Sequence, residues 1–193
     1  MRTSSLVAIA MLGACGDPPT VINARPCMPV EAVVAVSTGL SIDAFGPDEE
    51  PYGDRHAEGP WARLNILGSD GVPVLALDDI RGDIYIYRGL VTMLGTDDMK
   101  HLPKAQLPAV VGALREQLVA HGFELQRQSP GDFLRTTSDE PVVRYSMYRR
   151  DDIGVRISIV VPPKAETFGL GVAAWSSGAC LPQAQIEDHA RDE

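Results

Sequence analysis

Lysine is nearly missing from this sequence. Lys100, Lys104 and Lys164 are the only three, and the other basic side chains are arginines. Acidic residues outnumber basic ones 26 to 17, for a formal net charge of -9. A chain so acidic lacks the broad positive surface that a phosphate backbone requires, which argues against nucleic acid as a partner. The same balance argues against electrostatic docking on anionic lipid, so any membrane attachment has to be covalent. Histidine is scarce as well. His56, His101, His121 and His189 are the full set, none pairs with another at ligand spacing, and none belongs to His-Glu-x-x-His. Gly-x-Ser-x-Gly and Ser-x-x-Lys are absent, and the glycines form no phosphate-cradling pattern. These gaps predict no metal, no cofactor and no catalytic set. No apolar run approaches the roughly 20 residues that a membrane-spanning helix needs.

What is present begins at the N-terminus. Arg2 supplies a positive charge, Leu-Val-Ala-Ile-Ala-Met-Leu at 6–12 is an unbroken apolar run, and small residues follow. Positive, apolar and small in that order is the pattern of a secretory signal. The run ends in Leu12-Gly13-Ala14-Cys15, which resembles the lipobox of bacterial lipoproteins at all four positions. The resemblance implies cleavage before Cys15 and diacylglycerol on its thiol, often with a further acyl chain such as palmitate on the new amine. Two or more chains give a stable anchor where one holds only marginally. Loss of Arg2 with the signal makes the mature chain one unit more negative. Gly16, not Asp, follows the cysteine; in double-membrane bacteria this resembles outer-membrane lipoproteins more than those retained at the inner membrane. The expected location is thus the cell membrane or outer membrane, with the domain facing the periplasm or exterior.

Residues 1–14 are read as the signal, 15–26 as a lipidated tether, 27–182 as one domain and 183–193 as an acidic tail. Pro18, Pro19 and Pro26 suit an extended tether. With Cys15 given to lipid, Cys27 and Cys180 remain, one near each end of the folded part. An oxidising compartment favours a disulfide between them. In a chain-entropy account, closing so long a loop is worth roughly 5 kcal/mol.

Residues 29–45 read as a short helix leading into a strand, and 46–60, rich in Pro, Gly, Asp and Glu, as a loop. Strands are predicted at 61–67 and 72–77, joined by a Ser69-Asp70-Gly71 turn, and a third at 83–88. Asp78, Asp79 and Asp83 fall where a turn is expected. The strongest signal is a helix over 106–121, with Leu107, Val110, Val111, Leu114, Leu118 and Val119 on one face, Pro108 in its first turn and Gly122 after its end. Strands follow at 123–128, 142–148, 155–161 and 168–175, with 149–154 as a hairpin connection. The fold class is α+β: an antiparallel β-sheet with one main amphipathic helix packed on a face. A helix ending in Gly122-Phe123, then strands, then Cys180, also resembles small actinobacterial lipoproteins, which implies a cysteine pairing back to the N-terminus.

Candidate functional residues are few. Arg144, Arg149, Arg150 and Arg156 lie close along the predicted hairpin and form a possible partner surface, with cross-strand pairing to Asp151, Asp152 and Glu140 as the alternative. His56 sits in an acidic loop. Arg81-Gly82-Asp83 spells an integrin tripeptide, which would need an exposed loop tip. The expected function is that of a non-catalytic envelope lipoprotein that binds an envelope protein or component. An envelope hydrolase built on His56 or His101, and a carrier of apolar ligands with a cavity beneath helix 106–121, are the alternatives.

Overall fold

The computed structural model describes residues 19–46, 54–96, 100–129, 142–162 and 166–176, with the side chains of 54, 55 and 100 left aside. Its fold is dominated by a nine-stranded mixed sheet in the order β1-β2-β3-β4-β9-β8-β7-β6, with β5 also on β9. The strands are β1 Val21–Ala24, β2 Asp54–Leu67, β3 Pro73–Tyr87, β4 Leu90–Thr96, β5 Lys100–Pro103, β6 Glu124–Gln128, β7 Val142–Arg150, β8 Ile153–Val161 and β9 Thr167–Ser176. β1 runs parallel to β2, and the remaining strand pairs are antiparallel. The expectation of an antiparallel sheet therefore needs that one correction. Two α-helices are described, α1 Val30–Val36 and α2 Leu107–Ala120.

The hairpin of β2 and β3 organises one half. The Gly71 amide donates to Gly68 O, Gly68 N to Val72 O, and Asp70 Oδ1 accepts from the Val72 amide. With Gly71 at φ 77°, this is the three-residue connection that Ser69-Asp70-Gly71 suggests. The strands are far longer than the sequence pattern predicts. Residues 54–60 are strand and not loop, and the acidic stretch 78–83 is the interior of β3, so the expected turn and the separate strand at 83–88 are one element. The reason is mutual pairing: Glu58 faces Asp83, Gly59 faces Gly82 and Pro60 faces Arg81, which overrides poor local propensity. Gly82 serves a close approach, since a Cβ there would stand 2.6 Å from Gly95 O and 2.7 Å from the Trp61 ring.

The long hairpin bends. Leu64, Ile66, Leu75 and Leu77 face the core on one parity, while Trp61, Ile80, Ile84 and Ile86 do so on the other. The switch falls at Ala62 and Asp79, where Asp79 takes φ 51° and the Ala62 and Arg63 amides donate to Thr20 O. β1 enters at this bend. Ile22 and Ala24 are fully buried, so residues 21–24, expected within the tether, belong to the domain: an Ile and an Ala at alternate positions fill the core side of an added strand. The chain then crosses to β4, where Cys27 N donates to Val91 O, Val91 N to Met28 O and Val30 N to Gly89 O. This crossing ties the two ends of the bent hairpin together. β4, unforeseen in the sequence, follows β3 through Arg88 and Gly89, both at positive φ, the two-residue hairpin geometry that matches strand twist. The strand expected before 46 is a single 3-10 turn, Ile42–Phe45, that buries Phe45.

The other half follows the sequence closely. α2 ends with Gly122 at φ 79°, Gly122 N donating to Val119 O and Phe123 N to Leu118 O, the double closure of a glycine-ended helix. Leu107, Val111, Leu114 and Leu118 are buried, whereas Val119 is 62% exposed and lies off the expected face. Gln117 Oε1 accepts from the Ala76 amide at 3.2 Å, so a helix side chain takes up a donor on the part of β3 that β4 does not reach. β7 and β8 join through Asp151 and Asp152, a tighter link than 149–154, and Val155, Ile157, Ile159 and Val161 share the inward face. One hydrophobic cluster links these strands, α2 and the bent hairpin.

Candidate functional site

The four arginines expected to form one surface do not do so. Alternation places Tyr145, Met147 and Arg149 on one face of β7 and Arg144, Ser146, Tyr148 and Arg150 on the other. Ser146 and Tyr148 are buried, so the second face is the inner one. Arg150 is held there by His121 O, 2.9 Å from its Nη1. Arg156 pairs opposite Met147 and joins Arg149 on the outer face. Arg149 Nε donates to the backbone carbonyl Asp151 O at 2.9 Å, a turn contact and not the cross-strand carboxylate pairing of the alternative, while Arg150 Nε lies 3.8 Å from Asp151 Oδ2. The outer face gains a residue that the sequence did not point to: Arg127 of β6 lies over the Tyr145 ring at 5.7 Å. Its strand reads only as the exit from the helix, and the alternation of Arg127 with Tyr145 across the pair is visible only once β6 and β7 are in register.

A small cleft of about 160 Å³ opens on the outer face between β3, β4 and β9. It exists because Gly95 and Ala173, opposite each other, carry almost no side chain. Asp83, 7% exposed, forms one wall, and the Tyr85 hydroxyl donates to its Oδ2 at 3.3 Å. His56, opposite Tyr85 across β2 and β3, stacks on the tyrosine ring at 6.0 Å between centroids. His101 sits on β5 opposite Gly169, so the two histidines named as hydrolase candidates are not brought together. Arg81-Gly82-Asp83 lies inside β3 and not at a loop tip.

A larger cleft, about 550 Å³, opens between β1, the end of α1 and the β2–β3 turn. Asn23 and Arg25 line it on one side and Leu67, Asp70 and Pro73 on the other. The sequence alone does not point here, because Arg25 falls within the predicted tether. Neither of these two clefts lies beneath α2, where Leu107, Val111, Leu114 and Leu118 are buried.

Cys27 takes φ 63° and is disulfide-bonded. Cys15, Cys180 and His189 lie outside the described residues, as do the signal, most of the predicted tether and the tail. Among the described residues no three His, Cys, Asp or Glu converge to hold a metal, and no helix is long and apolar enough to cross a membrane. Compared with known proteins, the chain matches no family model, no curated protein and no solved structure.

Proposed function

We propose that this chain is a lipid-anchored cell-envelope protein whose α+β domain binds an envelope component without acting on it chemically. The observation that carries the reading is Leu12-Gly13-Ala14-Cys15 at the end of a short apolar run. A disulfide-bonded Cys27 supports export, since such bonds persist outside the reducing cytoplasm. We assign its partner as Cys180. β9 runs beside β4 with Trp175 opposite Met93, and the Cys27 amide rests on Val91, two residues further along β4. The four residues after Ser176 span up to about 14 Å, enough to close that gap.

Binding is favoured over chemistry by how the polar groups are used. The Tyr85 hydroxyl donates a hydrogen bond to Asp83, and His56 is stacked on the same ring. The surface offered to an envelope protein is the outer face around Arg127, Tyr145, Arg149 and Arg156, where arginine and tyrosine combine as they do in interface anchors. A second reading, an envelope hydrolase, draws on the deeply buried Asp83 carboxylate beside Tyr85 and His56. Incorporation of labelled fatty acid tests the anchor: wild type takes up label and Cys15→Ala does not. Equal labelling of the two would sink the proposal.

A further inference from the structure

We propose that the cleft between β1 and the β2–β3 turn is a binding site for a small molecule with one carboxylate on an apolar body. The inference concerns a different surface from the arginine face and does not depend on the lipid anchor.

The cleft's volume, about 550 Å³, falls within the roughly 300–1,000 Å³ of small-ligand sites. Its floor is fixed before any ligand arrives. Asn23 Nδ2 donates to Val36 O at 2.8 Å, Asn65 Nδ2 donates to Asn23 Oδ1 at 2.9 Å, and the Asn23 amide donates to Ser37 Oγ at 2.9 Å. These bonds hold β1, β2 and the end of α1 in one arrangement and engage both ends of the Asn23 amide.

Arg25 is the opposite case. It is half-buried on the cleft wall, and among the described residues its guanidinium makes a single contact, from Nη1 to its neighbour's carbonyl, Pro26 O, at 3.5 Å. A guanidinium carries five N–H donors in a planar fork that fits a carboxylate edge-on. In a protein of net charge -9, a half-buried cation that the described residues pair so little suits an anion from outside. Apolar surface adjoins it: Met28, Leu67 and Pro73 line the cleft, and Val36, 50% exposed, stands at its rim. Asp70 faces the same space with one oxygen engaged by the Val72 amide. Its charge disfavours a dianion, so the ligand class is a monocarboxylate and not a phosphate.

The full-length protein in detergent, titrated with N-acetyl-leucine and followed by calorimetry, tests this. Saturable binding is expected. The uncharged N-acetyl-leucine amide and the Arg25→Gln variant should each weaken it about tenfold or more, as expected for loss of a charge-assisted pair, and inorganic phosphate should not compete. Val36→Asp, a change at an exposed position, should weaken binding likewise while keeping the wild-type melting temperature, so a folding defect at Arg25 would not leave the question open. No saturable binding, equal affinity for the amide, or displacement by phosphate would overturn the proposal.

Discussion

Alanine at Gly95 and alanine at Gly112 should move stability in opposite directions. At Gly95 a Cβ would press on Val172 O and lie 2.9 Å from Ala173 Cα and 3.2 Å from Val172 C. All three are backbone atoms of β9, so no side chain can swing away. β4 and β9 would have to part near the Gly95–Ala173 pair, where Thr96 Oγ1 already takes the Val172 amide at 3.0 Å. Overpacking of this kind costs about 1–3 kcal/mol, and one stretched ladder bond adds about 1 kcal/mol. Alanine's lower chain entropy when unfolded returns about 0.5–1 kcal/mol. The net is a loss of about 2 kcal/mol, equivalent to a fall in Tm of roughly 4–8 °C for a chain of this size. Gly112 lies inside α2 with nothing within 4 Å of an added Cβ, so alanine there should stabilise by about 0.5–1 kcal/mol. Thermal and urea unfolding followed by circular dichroism give both values. A Gly95→Ala protein as stable as wild type would refute the close approach of β4 to β9.

Leu118→Ala, at a position 0% exposed, should cost about 2–5 kcal/mol, while Val119→Ala one residue later should change stability by less than about 0.5 kcal/mol; urea midpoints compare them directly. Peptide mapping of unreduced protein should yield one linked pair containing Cys27 and Cys180. A pair containing Cys15 and Cys27 would overturn both that assignment and the lipid anchor.

The parts of the fold that sequence reveals are those where one periodicity holds throughout. α2 keeps its apolar positions at helical spacing until glycine stops it, and β8 alternates from Val155 to Val161. The bent hairpin hides because its parity changes at Ala62 and Asp79, so neither strand shows a continuous alternation. Gly59, Pro60 and Gly82 read as loop residues, yet they sit within paired strands, and the two glycines make room for Trp61. β1 and β5, four residues each, are too short to show a period. For the site, the division of the arginines was partly legible: Arg149 and Arg150 are adjacent, and neighbours on a strand point to opposite faces. The place of Arg25 was not, since its cleft is made by β1 meeting a turn more than forty residues away.

If Cys15 carries the proposed lipid anchor, β1 would also limit how far the domain can travel. With acyl chains on Cys15, the six steps to Val21 extend about 20 Å at most, less than the width of a domain of this length, whose radius of gyration is about 15 Å. On the proposed anchor, such a leash would deny the domain a free orbit and hold it against the bilayer. The bend at Ala62, where Thr20 is hydrogen-bonded, would be the end nearest the headgroups. On that anchor β1 would lead away from the surface, and the mouth beside Arg25 would open toward the compartment and sample solutes rather than lipids.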